Sequence, residues 1–109
     1  MSAGWIKAAP ARKVKERFGL GIKLNGLSIA LFRHGGKVYA LKNRCSHQGA
    51  PIHDGYVKEG YAVCPHHQWQ FRLSDGAFIN NEHIKLPTYP VREEDGIIYI
   101  LLDNNRNEE

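Results

Sequence analysis

Two short segments of this sequence, Cys45-Ser46-His47 and Cys64-Pro65-His66-His67, carry its most specific pattern, and sixteen residues separate them. Each segment offers one thiolate and at least one imidazole, and four such side chains from two loops can complete a metal site. Zinc fingers usually pair two cysteines in one loop and two histidines on a helix. Here each segment mixes the two ligand types, which favours a centre with two different metal positions, one for both cysteines and one for both histidines.

The rest of the chain has the pattern of a small all-β protein. Gly35-Gly36, Asp75-Gly76 and Asp95-Gly96 separate apolar or alternating runs, as hairpin turns do. We predict strands at 5–8, 27–32, 37–41, 61–63, 89–92 and 97–102. The best helical candidate, 12–18, is short and polar. Residues 43–55 and 64–69 have little strand signal and read as loops, and the many short strands indicate a small antiparallel sandwich or barrel.

The segments from Cys45 to Pro51 and from Cys64 to Phe71 resemble the two cluster-binding loops of Rieske-type ferredoxins, in which two histidines replace two cysteines on one iron of a [2Fe–2S] cluster. The similarity covers residues 5–102. It implies that Cys45 and Cys64 bind one iron, and that His47 and His67 bind the other through Nδ1 at an exposed tip.

The resemblance also implies an all-β Rieske fold, a small antiparallel β-sandwich with an inserted cluster-binding subdomain. We expect one domain over residues 1–109, with this subdomain at about 43–73. Residues 104–109 are polar and are expected to form a frayed tail.

Two positions differ from the family's usual pattern. The family usually has glycine after the second histidine, where this chain has Gln68. Glutamine tolerates a positive φ poorly, so we expect a slightly different loop shape with the same ligands. His66 lies beside His67 and is a competing ligand, but the C-x-x-H spacing favours His67.

Neighbouring side chains receive structural interpretations. Several apolar residues beside the two segments are expected to shield the cluster and pack in a small core. They are Ala50, Pro51, Ile52, Trp69 and Phe71. The remaining histidines, His34, His53 and His83, are expected at the surface. For His53, which lies beside Asp54 just after the first segment, the alternative is a position that supports the cluster ligands.

The resemblance bears on the reduction potential of the cluster. Neutral imidazoles add no charge, so the centre is less negative than an all-cysteine cluster and is easier to reduce. The high-potential respiratory members have Ser and Tyr hydroxyls in the second loop and a disulfide between the loops. Trp69 and Phe71 occupy the matching positions here, and no further cysteine exists. We therefore predict a potential on the order of −100 mV.

The resemblance implies an electron-transfer protein rather than an enzyme. An oxygenase needs a mononuclear iron site as well, usually two histidines and a carboxylate, and 109 residues leave no second domain for one. We expect a ferredoxin that passes electrons from an NAD(P)H-dependent reductase to a terminal oxygenase. The alternatives are a fixed subunit resembling the small subunit of NAD(P)H nitrite reductases and, more weakly, a zinc-stabilised interaction module.

The composition predicts a cytoplasmic protein without a membrane span, and we expect it to be a monomer. Apolar residues make up 42% of the 109 positions, no apolar run is long enough to cross a bilayer, and the start lacks a signal-peptide core. Residues 1–44 carry ten Lys or Arg and one acid, whereas residues 45–109 carry five bases and ten acids. This basic half invites a nucleic-acid interpretation, which the metal motif displaces; the charge can instead steer an acidic partner or keep the domain soluble.

Overall fold

A computed structural model describes residues 4–44, 51–65 and 68–102. This part of the chain forms twelve β-strands and two 3₁₀ turns, and no α-helix. The 3₁₀ turns are Ala11–Lys13 and Ile52–Asp54. The strands are β1 (Gly4–Pro10), β2 (Gly19–Leu24), β3 (Leu27–His34), β4 (Lys37–Lys42), β5 (Tyr56–Lys58), β6 (Tyr61–Val63), β7 (Gln70–Arg72), β8 (Ala77–Phe78), β9 (Asn81–Lys85), β10 (Thr88–Tyr89), β11 (Val91–Glu94) and β12 (Ile97–Leu102).

The strands form three antiparallel sheets. The first has the order β1-β12-β11, the second β10-β4-β3-β2, and the third β5-β6-β7-β8-β9. The third sheet is built from consecutive strands between residues 56 and 85, whereas the first joins the two ends of the described chain. The predicted all-β antiparallel architecture is confirmed.

Strand β3 forms the wall shared by two hydrophobic cores. Ile29 and Leu31 pack into a core with side chains of the first sheet, while Ala30 and Phe32 pack into a second core with side chains of the third sheet. All four are fully buried. A strand covered on both faces needs a continuous apolar run rather than an alternating one, which explains the sequence Ile-Ala-Leu-Phe.

Among the described residues, four two-residue hairpin loops with positive φ at both positions set the strand register. Both loop residues have positive φ in Asn25-Gly26, Gly35-Gly36, Glu59-Gly60 and Asp95-Gly96, as a type I′ turn requires. The predicted turns at 35–36 and 95–96 are confirmed. Strand β2 and its Asn25-Gly26 turn were not predicted, although Asn-Gly is a strong hairpin signal.

The helix predicted at 12–18 is wrong. Only Ala11–Lys13 forms a 3₁₀ turn, and Arg17 has a φ of 76°, which no right-handed helix accommodates. The Arg33 guanidinium donates to the carbonyls of Ala11 (3.1 Å) and Val14 (2.7 Å). A helix would need these two oxygens for its own backbone hydrogen bonds. A tertiary contact therefore replaces the local one.

The other predicted strands are found, some with the predicted ends and some with altered ends. Strand β1 includes the predicted 5–8, and β6 matches 61–63. The predicted strand 89–92 is divided, because Thr88–Tyr89 pairs with β4 and Val91–Glu94 pairs with β12, with Pro90 between them. Among the described residues, no helix is long and apolar enough to cross a membrane.

Candidate metal centre

Of the four predicted ligands, Cys64 lies in the described part of the chain. Cys45, His47 and His67 lie outside the described residues, as does the competing His66. The structure does describe the chain on both sides of each predicted loop. Arg44 and Pro51 are described at the two ends of the first segment, and β6 and β7 flank the second.

Cys64 follows β6 directly and is fully buried. Its backbone N–H donates to the carbonyl of Trp69 over 2.7 Å, and the adjacent pair Val63 and Gln70 aligns β6 with β7. Cys64 and Trp69 therefore lie at the base of the β6–β7 hairpin, which strand pairing holds together. A thiol that is shielded from water at the start of such a loop, beside aromatic side chains, fits a cluster ligand.

Gln68 adopts the left-handed conformation, with a φ of 58°. We expected the loop shape to change because glutamine replaces glycine here. At Gln68 the backbone does not change in this way, because the glutamine takes the positive φ that glycine would allow. The energetic cost remains, since a left-handed residue with a Cβ atom is disfavoured by about 1–2 kcal/mol. A strained residue beside His67 is consistent with a loop whose shape matters for function.

An aromatic cluster packs in the same hydrophobic core as Cys64. The ring of Trp69 stacks on Phe78 with centroids 4.1 Å apart and planes 12° apart, and Phe71 packs against Phe78 at 5.7 Å. Phe71 and Ile52 are fully buried, whereas Pro51 is exposed. The predicted packing is thus confirmed for Ile52, Trp69 and Phe71, is wrong for Pro51, and for Ala50 lies outside the described residues.

A bidentate ion pair closes the turn between β7 and β8. Arg72 donates to Asp75 through Nε (3.0 Å) and Nη2 (2.7 Å), and the Ala77 N–H donates to the same carboxylate (3.0 Å). The hydrogen bonds from Arg72 and Ala77 lower the pKa of Asp75 to about 2, and Asp75 in turn raises the pKa of Arg72. The pair fixes the turn that connects Phe71 to Phe78.

The histidines outside the motif divide into two groups. His34 and His83 are exposed, as predicted. His53 is half-buried rather than fully exposed: its side chain is 33% exposed, and its ring and backbone contact Asn43. Asn43 is a buried polar residue that sequence reasoning missed. A buried amide needs hydrogen-bond partners, and the partner of Asn43 is identified only by the tertiary structure.

The chain is similar in sequence to ferredoxins of aromatic dioxygenase systems. The chain is 36% identical over 95 residues to the ferredoxin component of the naphthalene 1,2-dioxygenase/salicylate 5-hydroxylase systems of a Ralstonia species, which covers 86% of this chain and 91% of the relative. It is 40% identical over 97 residues to the 3-phenylpropionate/cinnamic acid dioxygenase ferredoxin subunit of Escherichia coli K12, with 87% and 91% covered.

Solved structures give the same result. The Sphingomonas yanoikuyae B1 ferredoxin matches with a TM-score of 0.82 and 26% identity, over 92% of this chain and 100% of that one. A complex of oxygenase and ferredoxin of carbazole 1,9a-dioxygenase matches with a TM-score of 0.80 and 29% identity, and there this protein spans 29% of the matched chain. The model of the Rieske [2Fe-2S] domain matches residues 4–90, and this chain therefore belongs to the Rieske [2Fe–2S] family.

Proposed function

We propose that this protein is a ferredoxin that takes single electrons from an NAD(P)H-dependent reductase and passes them to a terminal oxygenase. The observation that carries this proposal is coverage: the chain spans 91% of the Ralstonia and Escherichia coli ferredoxins, but 29% of the chain matched in the carbazole dioxygenase complex. The match over nearly the whole length of both ferredoxins supports the role of an electron carrier.

The proposed ligand set is Cys45 and Cys64 on one iron, and His47 and His67 on the other. The buried position of Cys64 at the start of the second loop supports its role. For the other three ligands, the support is the match of both segments to the family's loops. His66 is proposed to face away from the cluster as a loop residue.

When bound, a Rieske cluster supplies reversible one-electron chemistry. The side chains around it control its solvation and hydrogen bonding. Trp69 and Phe71 carry no hydroxyl that could donate to a cluster sulfur, and Trp69 stacks on Phe78 in the core that also contains Cys64. Fewer donors stabilise the reduced state less, so we propose a midpoint potential of about −100 mV. A midpoint above zero in a redox titration contradicts this expectation.

The domain boundaries, the compartment and the oligomeric state belong to the same proposal. We propose one domain over residues 1–109, with the cluster-binding part at 43–73 and a tail at 104–109. The protein is proposed to act as a cytoplasmic monomer. The shared coverage with single-chain ferredoxins supports the single domain.

The proposed function is tested by reconstituting electron flow. Purified holoprotein is mixed with NADH and the reductase of an aromatic dioxygenase system, and reduction of cytochrome c is followed. The expected result is reduction that depends on the ferredoxin, with a Cys64→Ser variant as the inactive control. Product formation by the matching oxygenase then tests the acceptor. Co-purification at fixed stoichiometry with a sirohaem subunit would instead support the nitrite reductase alternative.

A further inference from the structure

Asn43 lies two residues before Cys45 and contacts the chain on the far side of the first loop. It is 7% exposed and is the buried polar residue within the described ranges. Its Oδ1 accepts the backbone N–H of His53 at 2.9 Å, and its Nδ2 lies 2.8 Å from Nδ1 of His53 and 3.2 Å from Oγ of Ser28. Both amide protons and the amide oxygen therefore have partners.

These contacts determine which ring nitrogen of His53 carries the proton when the ring is neutral. An amide nitrogen can only donate, so Nδ1 of His53 must accept, and the neutral ring carries its proton on Nε2. Nε2 in turn lies 3.3 Å from Oδ1 of Asp54. The orientation of the ring and its tautomer are both set by neighbours on the two sides of the first loop.

Two glycines on β2 leave room for His53. A Cβ atom at Gly21 would lie 2.7 Å from Nδ1 of His53, and one at Gly19 would lie 2.5 Å from the His53 carbonyl oxygen. Both distances are far below van der Waals contact. The sequence Gly19-Leu20-Gly21 therefore gives one face of β2 a groove in which the 3₁₀ turn Ile52–Asp54 packs.

The backbone around Asn43 is anchored as well. The Asn43 N–H donates to the carbonyl of Ser28 at 3.0 Å, which extends the β3–β4 ladder by one residue. The N–H of Arg44 then donates to the carbonyl of Lys42 at 2.8 Å, so the chain turns at Asn43 immediately before the loop. The departure point of the loop is fixed by backbone bonds, and its distance from the return point is fixed by the Asn43 side chain.

We propose that Asn43 and His53 are positioning residues for the first cluster-binding loop. This inference rests on the proposed ligand set, because the segment that they bracket carries Cys45 and His47. Neither residue is a ligand. Together they hold the two ends of that segment at one separation, so that the loop meets the cluster without first paying the entropy of ordering its ends.

Loss of the Asn43–His53 pair should weaken cluster binding. Residues that orient metal ligands typically contribute 10–100-fold in metal affinity. We expect the holoprotein of Asn43→Ala to lose its cluster about 10–100-fold faster to an iron chelator, and its EPR signal to broaden as the loop samples more geometries. His53→Ala keeps the backbone N–H and should show a smaller change in the same direction.

Gly21→Ala tests the pair without altering either residue, because its Cβ displaces the His53 ring. Its matched control is Gly4→Ala, where nothing lies within 4 Å of the added atom. A second control is Arg33→Gln, which removes partly buried hydrogen bonds to Ala11 and Val14, residues far along the chain from the loop. It should lower the melting temperature while the cluster is lost at the wild-type rate.

The measurement is the loss of cluster absorbance from purified holoprotein in EDTA, with EPR line width and melting temperature recorded on the same samples. The proposal predicts faster loss in Asn43→Ala and Gly21→Ala and wild-type rates in both controls. Rates in Asn43→Ala and Gly21→Ala equal to those of the controls would overturn it, even if both variants melt earlier. Cys45→Ser separates the two proposals, since a cluster retained there refutes the ligand set itself.

Discussion

Replacing Gln68 with glycine should stabilise the protein. Gln68 has a φ of 58°, and an L-residue pays about 1–2 kcal/mol for this conformation. Glycine removes that cost but makes the unfolded chain more flexible, which costs about 0.4–1 kcal/mol. The net expectation is a gain of about 0.5–1 kcal/mol, or about 2–4 °C in melting temperature for a domain of this size.

The assay is thermal unfolding of holoprotein at matched iron content, followed by circular dichroism. Glu59→Gly is the matched control, because Glu59 is an exposed non-glycine residue with a φ of 51° in the β5–β6 hairpin. Both variants should melt higher than wild type by similar amounts, and the midpoint potential of Gln68→Gly should stay unchanged because the ligands are retained. A melting temperature that falls in Gln68→Gly but rises in Glu59→Gly would refute the reasoning, since the glutamine side chain would then stabilise the loop.

Three further predictions follow from the site and its surroundings. His66→Ala should retain the cluster spectrum whereas His67→Ala should lose or convert it; loss in His66→Ala would show that the wrong histidine was chosen. Wild type should be more stable than Asp75→Asn at neutral pH, and urea unfolding should show that advantage shrinking as pH falls from 3.8 towards about 2, because the folded-state pKa is depressed; a pH-independent difference would contradict this. Phe71→Ala removes a fully buried ring and should cost about 3–5 kcal/mol in chemical unfolding, so a loss below 1 kcal/mol would argue against the packing described for it.

The features that sequence predicted well are those with local causes. The Gly35-Gly36 and Asp95-Gly96 turns follow from the need for positive φ at two adjacent positions. The β3 run from Ile29 to Phe32 is apolar at every position, and the structure buries every one of those side chains. In each case a few consecutive residues contain the whole physical reason.

The features that sequence reasoning missed depend on distant partners. Residues 12–18 do not form a helix, because Arg33 binds the carbonyls of Ala11 and Val14. His53 is half-buried rather than fully exposed, because Asn43 and the glycines of β2 lie against it. Only the spacing of Gly19 and Gly21 hinted at that groove, and it becomes meaningful once the 3₁₀ turn is known to pack there.

The central claim is a Rieske cluster held by two cysteines and two histidines. Pulsed EPR of the reduced holoprotein, with iron and acid-labile sulfide measured on the same sample, tests it most directly. We predict two irons and two sulfides per chain, and couplings of the cluster to two histidine nitrogens. In His67→Ala, one coupling should remain, or the whole EPR signal should be lost. A colourless protein that holds zinc without sulfide, or a cluster with no nitrogen coupling, would contradict the account.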